Sequence, residues 1–131
     1  MAGELILIVE DNEKNRKLVR DVLQFKGYQT VETETGEEGV HLARTLRPAL
    51  ILMDIQLPGI DGIAALARLR AEPETRAIPI IAVTASAMTH NRQKIMASGF
   101  DGYQSKPIRV KDFLQAVEQM LARGRGAGGA A

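Results

Sequence analysis

The chain has 131 residues, 17 Lys and Arg against 16 Asp and Glu for a net charge of +1, and no cysteine. That length makes one ordinary domain with a real core, and the missing cysteine excludes disulfides, thiol catalysis and zinc–thiolate sites. No apolar stretch nears the ~20 residues of a membrane helix, and Met1-Ala2-Gly3-Glu4 lacks the regions of a signal peptide, so a soluble cytoplasmic protein is expected.

In chain order, Leu5–Val9 is a short, continuous apolar run, as a strand buried on both faces requires. Glu10 and Asp11 follow it, and Asn12 is placed to cap a helix whose apolar face is Leu18, Val19, Val22 and Leu23. Tyr28–Thr33 mixes apolar and polar residues, as an edge strand does, and Val40, Ala43 and Leu46 mark a second helix. Ala49–Met53 is a third strand ending at Asp54, and Ile63, Leu66 and Leu69 give a third helix. Ile78–Val83 leads to Thr84, and Ile95 and Met96 mark a shorter helix ending near Gly99. Phe100–Ser105 leads to Lys106, and Val110, Phe113, Leu114, Val117 and Leu121 form the last helix.

Five strand–helix repeats with short connections predict an α/β fold with a doubly wound parallel sheet. Right-handed crossovers place helices on both faces, and the flavodoxin-like order 2-1-3-4-5 follows, with five helices. Residues 4–122 are expected to form the domain, and the Gly/Ala-rich segment 123–131 a flexible tail.

In such a sheet, ligands bind beyond the strands' carboxyl ends at the switch point, here between the first and third strands. Glu10, Asp11 and Asp54 converge there, and three crowded carboxylates need a cation. An oxygen-rich cluster suits Mg²⁺, which shares its shell with water and phosphate. Asp54 is already ionised at neutral pH and can attack phosphorus without a general base. Asp11, shorter and beside the helix start, is the choice for direct ligation, with Glu10 acting through water or by its field. Thr84 could donate its hydroxyl to a phosphoryl oxygen, and Lys106 could pair with another or with Asp54. Taken singly each residue has an ordinary reading: loop acids, a strand-end threonine, a surface lysine. Their common position makes the site. His41 and His90 have no partners at metal-ligand spacing and read as surface residues.

Charge is divided unevenly. Residues 1–61 hold 11 acidic and 7 basic side chains, and residues 62–131 hold 5 and 10. The basic residues are spread along helices and aromatics are few, so nucleic-acid binding is not expected.

The runs Ile6–Asn12, Leu52–Gly59, Val83-Thr84-Ala85 and Ser105-Lys106-Pro107-Ile108, in this order and spacing, resemble bacterial response-regulator receiver domains over about residues 4–122. The Ile55–Pro58 and Ala85–Met88 runs are most similar to single-domain regulators of cell division, although receivers joined to hybrid histidine kinases share this vocabulary. The resemblance implies that Asp54 accepts a phosphoryl group from the phosphohistidine of a histidine kinase or phosphotransferase. Mg²⁺ would be held by Asp11, Asp54 and the main-chain carbonyl of Gln56, with Glu10 nearby. Thr84 and Tyr103 would be the switch pair, and the Lys106–Pro107 bond would be cis. Output would be protein binding on the face of the fourth helix, fifth strand and fifth helix, near Lys94, Gln104 and Lys111. Gln56 and Ser86 stand where receivers vary, and Glu10 stands where many have Asp.

Three other functions compete, one of them a structural receiver that never takes phosphate, against which the complete set of site residues argues. Aspartate-nucleophile phosphatases carry a general-acid Asp two residues after the nucleophile, where this chain has Gln56. A flavin module would need a phosphate loop after the first strand, where this chain has acids. A signalling domain rather than an enzyme is the expectation.

Overall fold

The computed structural model describes residues 3–85 and 89–130, with only the backbone described for 89–91 and 124–130. Ser86, Ala87 and Met88, the side chain of His90, and Ala131 lie outside the described residues. Five strands, β1 (Leu5–Val9), β2 (Gln29–Thr33), β3 (Leu50–Asp54), β4 (Ile80–Thr84) and β5 (Gly102–Ser105), alternate with five helices. These are α1 (Glu13–Phe25), α2 (Gly36–Leu46), α3 (Gly62–Ala71), α4 (Thr89–Ala97) and α5 (Val110–Ala130). All pairings are parallel, in the order β2-β1-β3-β4-β5, as expected.

The period of two along each strand sorts the core into two layers. Leu7, Val9, Ile51, Met53, Ile80 and Ala82 point to the α2, α3 and α4 side, where they meet Val40, Ala43, Leu66, Leu69 and Ile95. Ile6, Ile8, Leu50, Leu52, Ile81 and Val83 point the other way, onto Val19 and Leu23 of α1 and Phe113, Val117 and Met120 of α5. Central strands buried on both faces account for the unbroken apolar runs.

The differences from the sequence reading are local. Strand β4 starts at Ile80 rather than Ile78 because Pro79 has no N–H to give the ladder; its carbonyl still accepts from Ile51 N at 3.0 Å. Strand β3 extends through Asp54, which pairs with Val83, so Asp54 is the last strand residue rather than the first beyond it. The same holds for Thr84, opposite Ser105 in β5. Leu18, Leu46, Met96 and Val110 are exposed rather than buried. Leu18 and Met96 each lie one step from a buried residue, Val19 and Ile95, and a helical step of about 100° turns them out of the core, while Leu46 and Val110 are the last residue of α2 and the first of α5. The α5 backbone takes in 123–130, assigned from composition to a flexible tail, as helix rather than irregular chain; Ala and Arg, good helix formers, are interleaved there with the glycines.

Asn12 caps α1 as expected, its side chain accepting from Asn15 N at 3.0 Å. Helix α3 is capped by Asp61, whose Oδ1 accepts from Ala64 N at 2.8 Å. Its first residue, Gly62, lies against the end of β3: a Cβ there would sit 2.3 Å from the Asp54 carbonyl oxygen. Glycine-to-alanine changes at compatible helical positions stabilise by roughly 0.4–1 kcal/mol. Gly62→Ala is expected to do the reverse, costing about 1–3 kcal/mol as an overpacked contact against backbone. Denaturant midpoints of the two proteins check this, and a midpoint unchanged or raised in the variant contradicts it.

Candidate active site

Asp54 reaches the carboxyl edge of the sheet because β3 is central, and β1 beside it ends one residue before Glu10. Glu10 and Asp54 are both buried, while Asp11, one residue further along the loop into α1, is exposed. One carboxylate oxygen from each of the three lies within 4.8 Å of the others. The expected cluster is therefore assembled at the switch point.

Lys106 follows the last residue of β5 and reaches across to the same place. Its Nζ lies 2.6 Å from Glu10 Oε1 and 3.1 Å from Asp54 Oδ2. The backbone anchors it, Lys106 N donating to the Thr84 carbonyl at 2.9 Å, and the Lys106–Pro107 bond is cis. Burial alone lowers a lysine pKa, but hydrogen bonding to Glu10 and the charges of Asp54 and Glu10 outweigh it, and the net shift is upward. The ammonium is thereby kept protonated. Burial pushes the Glu10 carboxyl up from its ordinary value; Lys106 and the Asn12 N–H pull it down, and nearby Asp54 adds to the rise.

Both Glu10 oxygens are engaged, Oε1 by Lys106 and Oε2 by Asn12 N at 3.0 Å. That leaves Asp11 as the acid with the freer approach to solvent. Asp54 Oδ1 accepts from Gln56 N at 3.3 Å, which ties the start of the β3–α3 loop to the Asp54 carboxylate. All-oxygen donors, two buried and one exposed, fit a hard divalent cation such as Mg²⁺.

Thr84 is buried at the end of β4. Tyr103 pairs with Ala82, two residues before Thr84, so Thr84 and Tyr103 lie diagonally on one face of neighbouring strands. Tyr103 is half-buried against the α2, α3 and α4 layer, with the Arg92 guanidinium 5.4 Å from its ring centroid. His41 is exposed on α2, as expected.

Arg16 is a residue that sequence reasoning misses. Its guanidinium donates to the Glu10 carbonyl at 2.9 Å and to Glu32 Oε1 at 3.0 Å, bracing the turn that carries Glu10 and Asp11. Its place on α1 looks like that of any solvated arginine, and only the tertiary fold brings β2 and Glu32 beside it.

The carboxyl edge of the doubly wound sheet thus gathers three acids and a lysine, with Thr84 at the end of the neighbouring strand. The chain belongs to the response regulator receiver domain family, whose model matches residues 6–118. It is 47% identical over 116 residues, 88% of this chain and 94% of the relative, to the polar-differentiation response regulator DivK of Brucella anthropi. To DivK of Brucella ovis it is 46% identical with the same coverage. Among solved structures it is similar to the receiver domain of the Pseudomonas aeruginosa PAO1 sensor histidine kinase PA1611, with a TM-score of 0.86 and 33% identity. That match covers 92% of this chain and 99% of the other, which has a magnesium ion coordinated in its active-site cleft. A CheY-like receiver domain protein of Methanospirillum hungatei matches at TM-score 0.81 and 28% identity, over 92% and 95% of the two chains. No helix among the described residues is long and apolar enough to cross a membrane.

Proposed function

We propose that this protein is a phosphorylation switch in which Asp54 accepts a phosphoryl group from a phosphohistidine of a histidine kinase or phosphotransferase. The observation that carries the reading is Lys106 Nζ bridging Glu10 and Asp54 within the acid cluster at the switch point. An Asp54 carboxylate oxygen bonds to phosphorus as the P–N bond breaks, and the electron pair of that bond stays on the imidazole nitrogen. Asp11, Asp54 and the Gln56 main-chain carbonyl would hold Mg²⁺, with Glu10 behind them. When bound, the ion would offset the carboxylate repulsion and the charge on the phosphoryl oxygens.

The chain's own groups do the rest. Gln56 N orients the Asp54 carboxylate. Lys106 exchanges its contact with Asp54 for one with a phosphoryl oxygen, and the Thr84 hydroxyl donates to another. Gln56, two residues after the nucleophile, cannot serve as a general acid, which argues against rapid turnover of phosphoesters. The DivK relatives support a role in polar-differentiation or cell-division signalling, exerted by binding other proteins.

Acetyl phosphate with Mg²⁺ tests the reading. Intact mass is expected to show one phosphoryl adduct, lost when EDTA is present; no adduct, or an adduct indifferent to Mg²⁺, contradicts it.

The output follows from the diagonal pair. A phosphoryl group shifts a two-state equilibrium only through contacts that differ between the states. If Thr84 moves toward the phosphoryl group, space opens for the Tyr103 ring, and the surface of α4, β5 and α5 near Lys94, Gln104 and Lys111 changes. Thr84→Ala is expected to take up phosphate at Asp54 yet lose most of the response there. Backbone amide shifts of Lys94, Gln104 and Lys111 on phosphorylation provide the measurement, and equal shifts in both proteins would contradict the threonine–tyrosine coupling.

A further inference from the structure

The loop between β3 and α3, residues 55–61, carries Gln56, and it is seated at two places. At its end, Gly62 N donates to the Ile55 carbonyl at 2.8 Å, and Gly62 leaves no room for a Cβ against Asp54. At its outer bend it meets the start of α2. Glu37 Oε2 accepts from Ile60 N at 3.2 Å. Gly59, at φ +75, brings its α-carbon so close to the Glu37 carboxylate that a Cβ would lie 2.6 Å from Oε2. Gly36 is packed as tightly on Ile60, where a Cβ would lie 2.8 Å from Cγ1. A side chain of α2 thus holds the backbone of a loop whose next turn lies beside the nucleophile.

We propose that Glu37 is a positioning residue for the magnesium site, fixing the bend at Gly59 and Ile60 so that Gln56 keeps its place beside Asp54. This rests on the reading of the Gln56 carbonyl as a metal ligand. Mg²⁺ demands near-ideal octahedral geometry, so a carbonyl on a loosened loop binds it less well. Groups that orient metal ligands typically change affinity 10–100-fold when removed. Glu37 is exposed and acts through two intervening peptide units, so about three- to tenfold is expected, below that range. Its role is to accept a hydrogen bond, and an amide oxygen can replace it.

Isothermal titration of the full chain with Mg²⁺ compares wild type, Glu37→Ala and Glu37→Gln, and amide exchange of Ile60 is measured in the metal-free proteins. The expected result is a three- to tenfold weaker Mg²⁺ affinity and faster Ile60 exchange in Glu37→Ala, with Glu37→Gln within about twofold of wild type. Equal weakening in both variants overturns the role, because loss of charge then explains it. Unchanged affinity in Glu37→Ala overturns it as well. A wild type that binds no Mg²⁺ overturns the site reading itself, which separates the two failures.

Discussion

Asp54→Asn is expected to take up no phosphoryl group from acetyl phosphate and Mg²⁺ under conditions that modify the wild type. The carboxylate is the only part of the site proposed to bond to phosphorus, and an amide at this position is a far poorer nucleophile. The substitution is nearly isosteric. Its Oδ1 can still accept from Gln56 N, which now lies 3.3 Å from the carboxylate, and Lys106 keeps its 2.6 Å contact with Glu10. The fold is therefore expected to survive, so that a lost adduct reports chemistry rather than unfolding. Intact mass and a thermal melt of the same sample decide it. A phosphoryl adduct in a folded Asp54→Asn protein contradicts the assignment.

Asp11→Ala is expected to remove most of the stabilisation that Mg²⁺ gives the wild type. A ligand bound only by the native state stabilises by RT ln(1 + [L]/Kd), about 2.7 kcal/mol at a hundredfold excess over Kd. With Glu10 engaged by Lys106 and the Asn12 N–H, Asp11 is the acid free to enter the metal's first sphere. Without it, Asp54 and a main-chain carbonyl remain as the proposed protein ligands, and binding weakens until millimolar Mg²⁺ no longer saturates. Thermal melts across a Mg²⁺ series provide the comparison. An undiminished shift in Asp11→Ala would assign direct ligation elsewhere, with Glu10 as the first alternative to test.

The sheet order was legible because buried parallel strands must be apolar on both faces. Leu5–Val9, Ala49–Met53 and Ile78–Val83 therefore stand out as nearly continuous runs. Once that order is set, the switch point follows, and Glu10, Asp11, Asp54 and Lys106 fall together without any side-chain information. Strand ends were less legible, because Asp54 and Thr84 belong to the ladder by backbone pairing and not by polarity. Exposure at Leu18 and Met96 depends on how far each helix is rotated over the sheet, which local spacing leaves open. Arg16 and Glu37 were illegible for a different reason. Each acts on a backbone carbonyl or N–H of another element, and such a contact leaves no pattern among neighbouring residues.

The central claim is that an acyl phosphate forms on Asp54, and reductive trapping reads that bond directly. Borohydride cleaves an aspartyl phosphate to homoserine, whereas phosphoserine, phosphothreonine and phosphohistidine do not give that product. The protein is treated with acetyl phosphate and Mg²⁺, reduced, digested and mapped by mass spectrometry. Homoserine at position 54 and nowhere else is the predicted result; homoserine at position 11, the longer alcohol 2-amino-5-hydroxypentanoate at position 10, or a phosphorylated protein with neither product, would contradict it.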